Sequence, residues 1–199
     1  MKFLTFSDTH QDVKALKALM KRAQEDDIEF LICAGDLSIF GRGLREGLSM
    51  LNSVGKKVYF IPGNHEDGLK GLPELLKEFS HLEDLHKKAV LIRDYVFLGY
   101  GGDGFSQRDA VFRKLAREWY GQFNGKKTVF VAHGPAYGTK VDEIEGRNVG
   151  SFDFRKFVER IQPKIMISGH LHETAGVVDK IDKTRIVNPG WDGMVIELK

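Results

Sequence analysis

The sequence predicts an α/β protein in which two packed sheets carry helices on their outer sides. Short apolar runs alternate with segments of helical spacing along most of the chain, and the C-terminal part consists of further short strand-like runs. An alternating beginning followed by a strand-rich end is the pattern expected of two sheets packed against each other with helices outside.

The individual elements follow from local patterns. Residues 2–6 are apolar and β-prone, and residues 12–24 have apolar side chains at helical spacing. The runs at 30–34 and 57–61 are nearly all apolar, as expected of strands covered on both faces. Further strands are predicted at 90–92, 95–99, 128–132, 165–168, 176–178, 185–187 and 194–198. Further helices are predicted at 108–120 and 152–161.

Length and composition predict one domain over residues 1–199, because 199 residues with a 42% hydrophobic fraction can bury a core without disulfides. Cys33 is the sole cysteine, so no intramolecular disulfide can form and a reducing compartment is compatible with the sequence. The N-terminal apolar run is too short for a signal peptide, and no apolar stretch could span a bilayer. A cytoplasmic location without a membrane partner is predicted. The net charge of +2 is too weak to indicate nucleic acid as the main partner.

Several polar motifs share one position, because each follows the end of a predicted strand. They are Ser7-Asp8-Thr9-His10, Gly35-Asp36, Gly63-Asn64-His65-Glu66, His133-Gly134 and Gly169-His170-Leu171-His172. In α/β folds, ligands bind outside the carboxyl ends of the strands, so one shared site is expected. One residue separates the two members of each Asp-x-His or His-x-His pair, so both side chains project to the same side of an extended segment.

The side chains in these motifs are those of a transition-metal site. Imidazole, carboxylate and amide oxygen suit Mn, Fe, Co, Ni or Zn, and the lack of a cysteine cluster excludes a structural thiolate zinc site. The candidate ligands are more numerous than one catalytic ion takes, so two divalent ions that share a carboxylate are predicted. Asp36 is the natural bridge because it is an acid and is central in the order.

Each motif also has a structural interpretation. Asp8 after a strand is more often a turn or helix-capping residue, Asp36 can cap a turn, and Asn64 after glycine is common turn chemistry. The functional interpretation is favoured by clustering, because His10, His65, His133, His170 and His172 account for five of the chain's 7 histidines.

Five residues outside the motifs have open or structural interpretations. Arg42 and Arg45 follow the Asp36 motif and either grip a phosphate or lie in a solvated loop. Trp191 could line a pocket. His81 and His86 lie in a polar segment and are predicted to be solvated.

The order Asp-x-His, Gly-Asp, Gly-Asn-His-Glu, His and Gly-His-x-His extends from residue 8 to residue 172 and resembles the calcineurin-like metallophosphoesterase superfamily. The segment 133–140 and the Asn188-Pro189-Gly190 turn are similar to the small prokaryotic members. The resemblance implies a four-layer α/β/β/α sandwich of two mixed sheets flanked by helices. The ligands that it implies for one ion are Asp8, His10 and His172. Those that it implies for the other ion are Asn64, His133 and His170, with Asp36 shared.

The resemblance also implies that His65 stands by the leaving group. In one respect the sequence departs from the serine/threonine phosphatase branch, which follows Gly-Asp with a further Asp-Arg-Gly. Residues 37–41 here read Leu-Ser-Ile-Phe-Gly and contain neither Asp nor Arg. This departure argues against a protein phosphatase and leaves Glu66 or Asp67 as candidate partners of the His65 ring.

The predicted function is metal-dependent hydrolysis of a phosphodiester or a small-molecule phosphomonoester, with in-line attack by a metal-bridging hydroxide. Mn is the favoured metal, and Fe, Ni, Co and Zn are alternatives. The predicted partner is a small phosphorylated substrate, and the sequence identifies neither its binding residues nor the oligomeric state. A non-enzymatic interaction scaffold of the same fold and a nuclease are the alternative functions. The complete ligand set argues against the scaffold, and the near-neutral charge argues against the nuclease.

Overall fold

The structure, a computed structural model, describes residues 1–25, 27–102 and 104–199. Its helices and strands confirm the α/β class and most of the predicted elements. The strands are β1 (Lys2–Phe6), β2 (Phe30–Cys33), β3 (Val58–Phe60), β4 (Leu82–Asp84), β5 (Lys88–Ile92), β6 (Tyr95–Tyr100), β7 (Thr128–Ala132), β8 (Glu143–Ile144), β9 (Arg147–Asn148), β10 (Ile165–Ile167), β11 (Val178–Ile181), β12 (Thr184–Val187) and β13 (Met194–Glu197). The helices are α1 (Val13–Ala23), α2 (Leu44–Asn52), α3 (Leu72–Lys77), α4 (Ala110–Phe123) and α5 (Phe152–Ile161).

The strands form two mixed sheets and a small hairpin. The first sheet has the order β13-β1-β2-β3-β4, in which β1 to β4 run parallel and β13 is antiparallel to β1. The second sheet has the order β11-β12-β10-β7-β6-β5, with a parallel centre from β12 to β6 and an antiparallel strand at each edge. β8 pairs with β9 as the separate hairpin.

Three apolar layers hold the sheets and helices together as a four-layer α/β/β/α sandwich. The middle layer joins the facing sides of the two sheets and includes Phe3, Ile32 and Phe97. On the first sheet's other side, alternate strand residues such as Phe6 pack against α1 and α2. On the second sheet's other side, residues such as Phe130 pack against α4 and α5. Strands buried on both faces explain why their sequences are almost continuously apolar.

The first βα unit shows how local sequence sets the chain direction towards the site. Asp12 is the N-cap of α1, and its carboxylate accepts hydrogen bonds from the backbone N–H groups of Lys14 and Ala15. The chain segment between Phe6 and Asp12 therefore crosses the carboxyl end of β1 before the helix begins. That segment contains two of the predicted metal ligands.

The parallel strands of both sheets present their carboxyl ends to the polar motifs found in the sequence. These strands are β1, β2, β3, β7 and β10. Within the described ranges, no helix combines the length and the apolar character needed to cross a bilayer.

Candidate metal centre

The predicted ligands from the first and last motifs come together in one group. The Nε2 atoms of His10 and His172 are 3.0 Å apart, and His172 Nε2 is 3.8 Å from Asp8 Oδ1. Ligand atoms of these three residues all lie within 4.8 Å of one another. Donor atoms about 2 Å from a shared ion would be roughly 3–3.5 Å apart, so the spacing fits a divalent cation.

A second group forms around Asn64. Its Oδ1 atom lies 3.0 Å from His133 Nε2 and 2.9 Å from His170 Nδ1. Nitrogen and oxygen donors of this kind suit the same class of transition metals. These two groups account for six of the seven residues predicted as ligands.

Asp36 lies between the two groups. Its Oδ2 atom is 3.7 Å from His10 Nε2 and 3.5 Å from His133 Nε2. Ligand atoms of Asp8, Asp36 and His133 also lie within 4.8 Å of one another, so Asp8 is close to both groups. Asp36 therefore lies close to donor atoms of both groups.

Three of the candidate ligands form a buried, charged part of the centre. Asp8 is 5% exposed, Asp36 2% and His133 1%. Burial alone would lower the pKa of His133, but its hydrogen bond to Asp36 and the charges of Asp8 and Asp36 outweigh burial and raise this pKa to about 9. Burial favours a raised pKa at Asp36, yet its hydrogen bond and charge interaction with His133 lower that pKa. The carboxylates therefore attract positive charge, which is what a divalent cation supplies.

A contact between the two sheets fixes the orientation of His133. Its Nδ1 lies 2.9 Å from the carbonyl oxygen of Ala34, at the end of β2. A carbonyl only accepts hydrogen bonds, so Nδ1 donates and Nε2 remains for Asp36, Asn64 or a metal. Such a partner on the far nitrogen is the usual arrangement of a metal-binding histidine.

Several of the predicted ligands have a strained backbone. φ is positive at Asp8 (57°), His10 (41°), Asp36 (53°) and His170 (72°). Positive φ in a residue other than glycine costs about 1–3 kcal/mol and concentrates at functional sites. Backbone hydrogen bonds stabilise this conformation. The Asp8 N–H donates to the carbonyl oxygen of Gly35, and the His10 N–H donates to the backbone carbonyl oxygen of Asp36, both at 3.0 Å.

Glycine permits the close approach of these strand ends. A Cβ atom at Gly35, where φ is 101°, would lie 2.6 Å from both His133 Nδ1 and Gly63 N. A side chain there would push His133 away from Asp36, so Gly35 is required sterically as well as conformationally.

Glu66 ties the Asp36 loop to the Asn64 loop. Its buried carboxylate accepts hydrogen bonds from the backbone N–H groups of Asp36 (2.9 Å), Ser38 (2.8 Å) and Gly63 (3.0 Å). Glu66 is therefore occupied with the backbone and is not the partner of the His65 ring. The expectation that Glu66 would orient His65 is wrong, because the Glu66 carboxylate accepts its hydrogen bonds from three backbone N–H groups and not from the His65 ring.

The partner of His65 is Phe40. The Phe40 backbone N–H donates to His65 Nδ1 at 3.3 Å, and the two rings stack with centroids 4.1 Å apart. The candidate Asp67 lies elsewhere, in the lining of a cavity with His86 and Tyr100. The His65 ring is also 4.6 Å from the His10 ring, and one of its nitrogens lies within 4.8 Å of ligand atoms of His10 and Asp36. His65 therefore adjoins the centre from the side of the first ligand group.

Three exposed aromatic side chains contact histidines of the centre. Phe40 contacts His65, Phe105 contacts His170 at a centroid distance of 4.1 Å, and Trp191 contacts His172 at 5.9 Å. Trp191 is a candidate pocket residue from its place after Pro189-Gly190, whereas Phe40 and Phe105 are not among the residues predicted to contribute to the site. An aromatic residue inside a glycine-containing loop, as in Phe40-Gly41 and Gly104-Phe105, is the signal that could have found them.

The arginines after Asp36 do not both remain candidates for phosphate binding. Arg45 makes a two-pronged ion pair with Glu78, at 2.7 and 3.0 Å, on the outer surface. This pair occupies its guanidinium in an exposed contact away from the centre. His86, expected to be solvated, is instead partly buried, and its Nδ1 accepts a hydrogen bond from Gly101 N–H at 2.9 Å.

A two-sheet α/β sandwich with a candidate metal centre at the carboxyl ends of its parallel strands defines the class of metallophosphoesterase folds. The chain belongs to the calcineurin-like phosphoesterase family, whose model matches residues 1–174. The family supports a metal-dependent hydrolase of phosphate esters and implies divalent metal ions.

The chain is also similar to a curated protein and to solved structures of the same fold. The chain is 29% identical to UPF0046 protein K07C11.7 of Caenorhabditis elegans, in a match that covers 94% of this chain and 68% of that protein. Among solved structures, TT1561 of Thermus thermophilus superimposes with a TM-score of 0.77 at 15% identity, over 96% of this chain and 90% of the other. The phosphopantetheinyl hydrolase PptH of Mycobacterium tuberculosis superimposes with a TM-score of 0.67 at 16% identity, in a match that covers 95% of this chain and 88% of PptH. At 15–16% identity, the structural similarity shows that this chain and those proteins share a fold.

Proposed function

We propose that the chain is a dinuclear metallophosphoesterase that hydrolyses a phosphodiester or a small-molecule phosphomonoester. The observation that carries this proposal is the position of Asp36 between two groups of nitrogen and oxygen donors. Asp8, His10 and His172 would hold one ion, and Asn64, His133 and His170 the other. When bound, such ions lower the pKa of water and offset negative charge on phosphoryl oxygens.

The chain's own residues would orient and protonate the substrate. His65 accepts a hydrogen bond from Phe40 at Nδ1, so a neutral His65 ring carries its proton on Nε2. The Nε2–H group of this neutral ring, beside His10, can donate a hydrogen bond to the leaving oxygen and stabilise its charge as the ester bond breaks. Transfer of the proton itself requires the imidazolium form of His65, in which Nδ1 is also protonated and no longer accepts from Phe40. Phe40 sets both the tautomer of His65 and the plane of its ring.

The substrate is proposed to be a small ester instead of a phosphoprotein. The residues that match Asp-Arg-Gly of the protein phosphatase branch, 37–41, here contain an exposed Phe40 and no arginine, so an apolar ring stands where that branch has a cationic side chain. The name of the similar PptH, a phosphopantetheinyl hydrolase, is compatible with a phosphorylated small-molecule group. Mn is the proposed metal because carboxylate, amide and imidazole donors are mixed at the centre, and Fe, Ni, Co and Zn suit the same donors.

Metal analysis combined with a substrate panel tests this function. The purified chain would be loaded separately with Mn, Ni, Co, Zn or Mg and assayed on phosphomonoesters, cyclic nucleotides and aryl diesters. We expect about two ions per chain at saturation and metal-dependent turnover of at least one small ester. Binding of one ion at most would contradict the dinuclear centre, and a fully loaded but inactive chain would favour the scaffold interpretation.

A further inference from the structure

An apolar cavity adjoins the metal centre at His170. The cavity, called the Phe105 cavity below, has a volume of about 300 Å³ and has walls formed by Phe105, Pro135, Ile144, Val149 and Leu171. Among the described residues that line it, there is no Asp, Glu, Lys or Arg. A cavity with this lining suits an uncharged apolar group, and His170 places that group next to the phosphoryl position.

Phe105 is held at this place although it contributes little to the core. Its side chain is 70% exposed, and its ring stands at 83° to the His170 ring with centroids 4.1 Å apart. A Cβ atom at Gly104 would lie 2.8 Å from the His170 ring, and one at Gly134 would lie 2.8 Å from the Gly104 carbonyl oxygen. The two glycines thus allow the Phe105 segment to lie directly against a candidate ligand.

The Phe105 cavity and His65 belong to different ligand groups. His65 contacts His10, whereas Phe105 contacts His170, which in turn contacts Asn64 and His133. If His65 faces the leaving group, the Phe105 cavity faces a substituent that stays on phosphorus. A monoester has no such substituent, whereas a diester has one.

We propose that the Phe105 cavity binds the non-leaving organic substituent of a phosphodiester, and that this substituent is an apolar planar group such as an aryl ring. The inference rests on the proposed function and narrows its substrate to diesters with one such group. Phe105 and Ile144 act as specificity-determining residues, because they lie in the wall of the cavity and not among the ligands.

The test compares phenylphosphonate with methylphosphonate, which share the headgroup and contain no ester bond to hydrolyse. Their dissociation constants would be measured by calorimetry on the zinc-loaded chain. We expect phenylphosphonate to bind about tenfold more tightly, the factor of one well-placed aromatic contact. In Phe105→Ala and Ile144→Ser the preference should fall to within about twofold. Leu91→Ala, an equally exposed apolar side chain on β5, is the control that should keep the preference.

Methyl NMR gives a readout that does not depend on turnover. Phenylphosphonate, and not methylphosphonate, should shift the methyl signals of Ile144 and Val149. A metal-loaded chain that binds both phosphonates equally would overturn the inference, and so would a preference that disappears in Phe40→Ala but survives in Phe105→Ala. A chain that takes up no divalent ion overturns the inference together with the proposed function, and the metal analysis tells these two failures apart.

Discussion

Asp36 is the residue on which the two candidate ligand groups depend. Its Oδ2 lies within 3.7 Å of a nitrogen from each group, whereas the half-exposed His172 reaches the first group alone. We expect Asp36→Asn to lose most of both ions, because the amide carries no charge to balance two cations. His172→Ala should chiefly lose one ion. His81→Ala, a histidine outside the centre, is the control, and elemental analysis is the measurement. Equal loss of both ions in His172→Ala would contradict the assignment.

The proposed role of His65 predicts a dependence on the leaving group. Asn64 Oδ1 contacts His133 and His170 of the second ligand group, whereas the His65 ring contacts His10 of the first, so Asn64 and His65 do not readily bind the same ion. We expect His65→Gln to keep its metals and to lose about 10²–10⁴-fold in rate on alkyl esters, because an alkoxide needs a proton to leave. The loss on p-nitrophenyl esters should be smaller, since p-nitrophenolate leaves without one. Metal-free protein, or the same loss on both substrates, would disprove the role of His65 as leaving-group acid.

Phe40 combines strain with exposure, which predicts a trade-off between stability and activity. A bulky residue at φ 50° is a conformational outlier, and the ring is 71% exposed, so it gains little from burial. Phe40→Gly should stabilise the fold by about 0.5–1 kcal/mol by removing the left-handed strain, while lowering activity through loss of the stack on His65. Chemical denaturation and ester hydrolysis measure the two effects.

Phe40→Ala is the matched control, because it removes the ring but keeps a Cβ atom and therefore most of the strain. It should lose activity like Phe40→Gly without the gain in stability. Equal stability of the two variants would show that the backbone conformation at Phe40 relaxes and stores no strain.

At the scale of elements, the sequence is most informative where periodicity is local. The strands β1, β2, β7 and β10 are predicted correctly because they are buried on both faces, and α1 because its apolar side chains recur at helical spacing. The site motifs are found for the same reason, because each follows one of these strands or the equally buried β3.

The elements that sequence patterns miss have weak local signals. α2 begins after a left-handed Gly43 with no side-chain cap and contains Gly47, and α3 has six residues with a proline near its start. Both are stabilised by packing on the first sheet, which the sequence does not show. The strand predicted at 176–178 lies instead at Val178–Ile181, where hydrophobic alternation is incomplete. The contacts of Glu66 and Phe105 escape prediction similarly, because their partners are distant in sequence.

His86 links two elements and predicts a pH effect. It lies between β4 and β5, and its Nδ1 accepts from Gly101 beyond β6. Burial lowers the pKa of His86 to about 4, and the charge of Lys87 adds to this. The folded state therefore binds fewer protons than the unfolded chain between pH 4 and the usual value of 6.5. This contribution to stability is complete above pH 6.5 and is lost as the pH falls towards 4.

The lost contribution amounts to about 3 kcal/mol. We expect His86→Asn, whose amide oxygen can replace Nδ1 as acceptor, to lose correspondingly less stability than the wild type between pH 6.5 and 4. Denaturation at several pH values, under identical metal conditions, measures the difference. Parallel pH profiles for the two proteins would show that His86 is protonated in the fold or does not contribute.

At the scale of the whole molecule, the centre exists only where the two sheets meet. Asp8, Asp36 and Asn64 come from the first sheet, and the hydrogen bond from His133 to Ala34 joins the second sheet to it. The rule that ligands bind beyond the carboxyl ends of strands predicts one shared site. The four-layer packing of the two sheets is implied by the family resemblance and not by residue patterns, because the packing of one sheet on another depends on contacts between segments that are distant in sequence.

The arrangement of the whole molecule predicts small esters as substrates instead of folded phosphoproteins. The rim of the centre carries exposed aromatic rings from three loops, namely Phe40, Phe105 and Trp191, and residues 37–41 contain no arginine. Aromatic rings recognise small apolar or planar groups, whereas a phosphoprotein requires cationic contacts around a dianionic phosphate.

We expect kcat/KM for the best small ester to exceed that for a folded phosphoprotein by at least about 10²-fold, a difference of roughly 2.7 kcal/mol in transition-state stabilisation. A phosphopeptide with the same phosphorylated sequence is the control, because it separates poor access of the folded protein from poor recognition of the phosphoresidue; both should be weak substrates. Efficient dephosphorylation of the folded phosphoprotein, together with weak action on every small ester, would overturn the prediction and would indicate that the aromatic rim docks a protein surface.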